Sequence, residues 1–312
     1  MSDFIDEYAM GWVPDYPDIR DLGEDHDKVL EKHQKLNQKD SIKKMLSKTG
    51  IMGSKGLADP SSVGSSKVDL RQWCTPVDNQ GLIASCTAHA AVSILEYFEK
   101  KSYGKHIDAS RMFLYKVTRN LLKYSGNRGA FLRTAMKAMV LFGVPPEDYW
   151  PYKISDYDKE PSAFCYAFAQ NYQAVNYYRL DHHGTSKEAL LQKIKLHLIA
   201  QIPAMFGFTV FDSMGQSKNQ GKIPFPAPRD NSKGGHAVAA VGFDDDMIIK
   251  NESQDAEETK GAILIKNSWG TDWGDGGYGW LPYDYVLKGL AIDWWVLLKS
   301  EWIDTGKFSL DS

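Results

Sequence analysis

The chain has 312 residues, 43% of them hydrophobic and 25% charged, with a net charge of −3. That length suits one large domain or two lobes sharing a core, and the near-balance of charge gives no special affinity for nucleic acid. No apolar run approaches the roughly 20 residues of a membrane-spanning helix, so neither nucleic acid nor membrane is expected as a partner.

Residues 1–67 read as an N-terminal segment and linker. The start, MSDFIDEYAMGW, carries acids where a secretory leader would carry bases, so cytoplasmic residence is the default, with leaderless export left open. GWVPDYPDIRDLG (11–23) is rich in Pro and Asp and reads as extended. A charged amphipathic stretch follows over about 27–47, and GSKGLADPSSVGSSK (53–67) has the composition of a flexible linker.

Residues 68–312 read as the folded body. Ala88, Ala91, Val92, Leu95 and Phe98 recur at helical spacing before an end signal at Lys100, Lys101 and Gly104. SRMFLYKVTRNLLKY (110–124), AFLRTAMKAMVLFG (130–143) and TSKEALLQKIKLHLIAQ (185–201) are further helical patterns. Strand patterns lie at 173–180, 202–210, 236–244, 247–251 and 261–270, where β-branched and aromatic runs sit between turn residues. Helices first and strands second predict an α+β protein of two lobes with a cleft between them.

Three cysteines, Cys74, Cys86 and Cys165, make no disulfide framework. Cys86 stands at the start of a predicted helix, where unpaired backbone N–H groups and the helix dipole favour the thiolate. Gln80, just upstream, offers a side-chain amide that with the Cys86 N–H would form an oxyanion hole. His236 heads an apolar strand after Gly234 and Gly235, glycines that allow close backbone approach. Asn267 ends another strand, and its amide oxygen would hold the imidazole in one tautomer. Trp269 would keep water off that bond. His89 is a rival base, because at i+3 it shares a helix face with Cys86. Cys74 and Cys165 lack such a setting and read as structural. DHHG (181–184) reads as a solvated loop, and DDD (244–246) as a solvated turn lacking the features of a calcium loop.

PVDNQGLIASC (76–86), GGHAV (234–238) and KNSWGTDWGDGGYG (266–279), in that order, resemble the papain family of cysteine peptidases. VDLR (68–71), GNRGAFLRTAMKA (126–138) and GVPPEDYWPY (143–152) extend the resemblance over about residues 68–297. It implies a papain-like fold, with a helical left lobe, a β-barrel-like right lobe and a cleft between. It implies hydrolysis of a peptide or protein substrate through a thioester acyl-enzyme, with no metal and no organic cofactor. Cys86 would attack, His236 exchange the proton, Asn267 orient it and Gln80 bind the oxyanion. Gly129, Gly235 and Trp269 would border the substrate, with a pocket floor near LAIDWW (290–295).

Some positions depart from the family. Ala84-Ser85-Cys86-Thr87 stands for the usual Gly-Ser-Cys-Trp, Ile83 for a disulfide cysteine of secreted members, and Asn127-Arg128-Gly129 for a more glycine-rich segment. Together with GWVPDYPDIRD these resemble prokaryotic members, and a monomer is expected. A papain-fold acyl transferase or ligase, or a silent binding module, is the alternative. Residues about 10–23 are expected to lie on or near the cleft and restrain activity, as in a zymogen; a purely structural strap is the other reading.

Overall fold

A computed structural model describes residues 8–54, 56–59, 64–173, 176–217, 220–253 and 255–310. Residues 8–30 contain no helix, in keeping with Pro14 and Pro17 near their start, and meet the body through a bridge between Trp12 and Ala130. The amphipathic stretch splits into two short helices, α1 (Glu31–Lys35) and α2 (Ile42–Lys48); Ser41 caps the second by accepting from the Lys44 N–H. The supposed linker opens with a small hairpin, β1 (Met52–Gly53) and β2 (Gly56–Leu57); residues 60–63 of it lie outside the described residues.

The helical lobe follows β3 (Lys67–Asp69). Its central element is α3 (Cys86–Tyr103), flanked by α4 (Arg111–Leu121) and α5 (Leu132–Phe142), with a short α6 (Ala163–Ala169) beyond. Helix α3 is buried on nearly every side, so its polar members need partners inside the protein. Glu96 finds the Arg111 guanidinium at 3.1 Å and the Thr75 hydroxyl at 2.7 Å. Gly104, at φ +74°, ends α3 in the left-handed conformation that favours glycine.

The second lobe is an antiparallel sheet with α7 (Lys187–Ile199) packed on it. Its strands are β4 (Asn176–Arg179), β5 (Ala204–Phe211), β6 (Ser232–Lys250), β7 (Glu258–Lys266), β8 (Tyr278–Pro282) and β9 (Ala291–Leu298), with α8 (Tyr283–Leu287) before the last and α9 (Ser300–Ile303) after it. The spatial order is β4-β9-β5-β6-β7-β8, and β3 pairs with β6. The observed architecture is the expected α+β papain-like fold. The DDD run is not a turn between two strands: it lies at an irregularity inside the single strand β6, where the register against β7 shifts between Asp244 and Ile248. Nor is DHHG wholly solvated. Asp181 is buried, takes the Arg179 guanidinium at 2.9 Å, and accepts the Asp293 and Trp294 backbone N–H groups at 2.8 Å each.

The N-terminal stretch is not all peripheral. Ile42, Met45, Leu46 and Ile51 are buried in the common core, Leu310 N–H donates to Thr49 O, and the Ser300 N–H donates to the Gln38 side chain.

Candidate active site

Cys86 is the first residue of α3 and fully buried. Burial pushes its thiol up to about 11, against the backbone N–H groups of Ala237, Gly11, Thr87 and Cys86 itself, which favour the thiolate. One of those groups, the Gly11 N–H, belongs to the N-terminal segment.

His236 sits on β6 opposite Phe208 of β5, and α3 packs on both strands. Its Nε2 lies 2.7 Å from Asn267 Oδ1. That oxygen also accepts the Ser268 backbone N–H at 2.8 Å, a donor whose direction is not in question. Asn267 Oδ1 is therefore the acceptor and His236 Nε2 carries the proton, leaving Nδ1 as the basic nitrogen of the neutral ring. Nδ1 is buried and has no hydrogen-bond partner among the described residues. Burial pushes the imidazole down to about 4, against the Asn267 hydrogen bond, which favours the charged ring. Burial thus works against the charged form of both Cys86 and His236 in the closed site. Trp269, almost fully buried, lies against the imidazole with ring centroids 4.7 Å apart.

Gln80 is fully buried, and its amide is locked at both ends. Oε1 accepts the Ser268 hydroxyl at 2.7 Å; Nε2 donates to Ile83 O at 3.0 Å and to Ala9 O at 2.9 Å. Ser268 thus orients Asn267 through its backbone and Gln80 through its side chain. Ser268 carries no chemical signature of its own in the sequence, and its place between Asn267 and Trp269 is the signal that points to it.

The chain's own residues 8–13 lie across the candidate site as a strap. Gly11 O accepts the Ala130 N–H at 2.8 Å, Val13 N–H donates to Ala130 O at 3.1 Å, and Trp12 N–H donates to Gly235 O at 3.1 Å. Tyr8 stacks on Trp269 at 4.8 Å. All three residues expected to border a substrate therefore touch this strap. A Cβ on Gly129 would lie 2.4 Å from Gly11 O, and one on Gly235 would lie 2.6 Å from Trp12 O, so the strap's close approach needs glycine at both. Trp12 plants its indole against Asp293, Nε1 donating to Oδ2 at 3.0 Å. Asp293 falls in the segment expected to floor the pocket. Burial pushes its carboxyl up to about 7, against the Arg179 charge and the two indole donors, Trp12 and Trp295.

His89 is placed differently from His236. Its Nδ1 lies 3.1 Å from Ser85 O and its ring meets Tyr152 edge-on. Burial, with the Arg111 charge, pushes it down to about 3. Its ring is held by its own helix start, and among the described residues no side-chain carboxylate or amide oxygen bonds it, so the arrangement reads as core packing. Cys74 and Cys165 are free and buried, as a structural reading expects.

Residues 64–288 match the family described as papain family cysteine protease. An uncharacterized peptidase C1-like protein of Acanthamoeba polyphaga mimivirus is 33% identical over 236 residues, covering 74% of this chain and 71% of that protein. Papain from Carica papaya is 30% identical over 220 residues, covering 68% of this chain and 53% of that protein. Among solved structures, xylellain, a cysteine protease from Xylella fastidiosa, superposes with a TM-score of 0.69 at 30% identity, covering 94% of this chain and 97% of that one. A family match over more than two thirds of the chain, on a shared fold and with a cysteine at the head of the central helix, settles the assignment: the chain belongs to the papain family of cysteine proteases.

Proposed function

We propose that the protein hydrolyses peptide bonds through a thioester acyl-enzyme on Cys86, and that residues 8–13 keep it latent by filling the cleft. His236 Nδ1 takes the thiol proton, Cys86 Sγ adds to the scissile carbonyl carbon, and the Gln80 amide with the Cys86 N–H receives the oxyanion. Collapse of that intermediate breaks the C–N bond, and the imidazolium returns the proton to the leaving amine. Water, deprotonated by the same nitrogen, then releases the acid and the thiol. Asn267 keeps Nε2–H directed away from the sulfur throughout, and Trp269 excludes water from that hydrogen bond.

One observation supports both halves of this reading. A peptide backbone lies along the site, with the Ala9 carbonyl on the Gln80 amide and the Gly11 N–H directed at the Cys86 sulfur. The strap also supplies part of the burial that works against the charged forms of Cys86 and His236. Its departure would return water to the site and favour the thiolate–imidazolium pair.

Cys86→Ala removes the nucleophile with little loss of volume, so hydrolysis of a fluorogenic peptide and alkylation of the active site are both expected to vanish while the fold stays intact. Near wild-type hydrolysis in that variant would refute the assignment. His236→Ala is expected to cost several orders of magnitude in turnover, because base and acid are lost together. Asn267→Ala should cost about 10- to 100-fold, because the base stays and only its orientation suffers.

A further inference from the structure

The Trp12 indole fills a slot built to its shape. A Cβ on Gly207 of β5 would lie 1.9 Å from its Cε2, and one on Gly235 of β6 would lie 2.7 Å from its Cε3. Neither glycine has a positive φ, so glycine serves there to leave room for Trp12: for the ring at Gly207, and for the ring and the Trp12 carbonyl at Gly235. Asp293 closes the slot. It is fully buried and held at φ +65°, a conformation uncommon for a residue with a side chain. Its Oδ1 is satisfied from behind by the Trp295 Nε1–H at 2.7 Å, with the Arg179 guanidinium at 3.3 Å. Its Oδ2 faces the slot, and among the described residues its hydrogen-bond donor is Trp12.

We infer that this slot selects substrates by a planar aromatic side chain bearing a ring N–H, tryptophan among the natural residues. The inference rests on the peptidase reading, with the strap as a stand-in for the substrate side chain. When the strap leaves, Oδ2 loses its indole donor, and a substrate side chain that fills the slot excludes water from it, so only one that reaches Oδ2 with an N–H restores the bond. Phenylalanine fills the slot but leaves Oδ2 unpaired; leucine leaves both the acceptor and much of the volume unserved. Lysine or arginine would bring a second cation beside Arg179 on a stem that does not fill a planar slot. A site built around a buried polar group discriminates against an isostere lacking the partner, here by about tenfold or more.

The test uses the full-length chain carrying Trp12→Ala, whose slot is unfilled. Fluorogenic peptides varied at each position N-terminal to the scissile bond are assayed, with tryptophan compared against benzothienylalanine, which keeps the shape and replaces N–H by sulfur. At one position kcat/KM should be highest for tryptophan, about tenfold or more above both benzothienylalanine and phenylalanine. Equal rates for tryptophan and benzothienylalanine, or a preference for leucine, would overturn the inference and leave the peptidase reading standing. If no peptide is cut although Cys86 still reacts with iodoacetamide, hydrolysis is what fails, and protection of Cys86 decides the slot. N-acetyltryptophanamide should then slow alkylation at concentrations where its benzothienyl counterpart does not; equal protection overturns the inference. Should Trp12→Ala not fold, Trp12→Phe keeps the ring and loses the N–H. Faster Cys86 alkylation than in the wild-type chain supports the inference, and an unchanged rate overturns it.

Discussion

Two pieces of the N-terminal stretch are attached to the body by different physics. Residues 42–52 are welded by apolar burial, with Ile42, Met45, Leu46 and Ile51 almost completely removed from solvent. Residues 8–24 are held by backbone hydrogen bonds, one buried indole, and carboxylates that meet bases on the body. Asp15 and Asp21 pair with Arg133 at 2.8 and 3.0 Å, and Glu24 pairs with Lys193 at 3.1 Å. Apolar burial is lost only with the fold, whereas a short stretch held by backbone hydrogen bonds, one indole and a few ion pairs is attached through contacts that need not open the core. The comparison teaches where the chain is expected to yield: under the latency proposed above, the strap is the part that leaves, and the segment behind it stays in the core.

The difference is sharpest in the core segment. Leu46→Ala should destabilise the whole protein by about 2–5 kcal/mol, read as a lowered denaturant midpoint at unchanged slope, because it leaves a cavity among buried neighbours. A loss below 1 kcal/mol would mean that residues 42–52 are no more firmly bound than the strap.

A smaller, local effect is expected at Arg133, which ion-pairs with Asp15 and Asp21 and donates to Tyr16 O at 2.9 Å. Arg133→Gln should speed hydrogen exchange at the Trp12 and Val13 amides by about tenfold, which is about 1.4 kcal/mol of local opening. Exchange in β6 and β7 should hardly change; equal acceleration there would show that the strap opens only with the fold.

The smallest effect concerns pH. Burial raises the Glu24 carboxyl, but the His182 hydrogen bond and the Lys193 charge bring it net below the usual glutamate value. A depressed carboxylate contributes stability that is present above its ordinary pKa and lost as pH falls through its lowered one. His182 is raised, first by its Glu24 partner, so its contribution is complete below the ordinary histidine value and lost as pH rises through the raised one. Strap protection, corrected for intrinsic exchange, should therefore be greatest in the mildly acidic window between the two values and weaken on either side. Glu24→Gln should flatten that profile; an unchanged profile would remove Glu24 as a clamp.

The catalytic candidates were legible because their chemistry is local to short motifs: a cysteine at a helix start, a histidine after two glycines at a strand, an asparagine before Ser-Trp-Gly. Grouping them into one site required the papain resemblance, since Cys86 heads α3, His236 lies on β6 and Asn267 follows β7. Strand β9 escaped notice because it is buried on both faces, so LAIDWWVLL shows no alternation of apolar and polar residues. The place of Asp181 was equally invisible, because its partners Arg179 and the Asp293 and Trp294 amides are tertiary. GWVPDYPDIRDL could be read as extended from its prolines, but no local signal says that Trp12 enters a slot between Gly207 and Gly235. The linker composition hid the β1–β2 hairpin, and α2 was blurred into one longer amphipathic stretch because its apolar residues answer to α9 at the far end of the chain.

The central claim is that Cys86 is a peptidase nucleophile kept covered by residues 8–13. It is tested most directly by comparing peptide hydrolysis in the full-length chain with that in a chain lacking residues 1–13, each with its Cys86→Ala counterpart as blank. Because the truncation spares residues 42–52, the shortened chain should keep its fold, and its hydrolysis should exceed that of the full chain and fall to background in Cys86→Ala. Equal hydrolysis with and without the strap, or hydrolysis that survives the loss of Cys86, would contradict it.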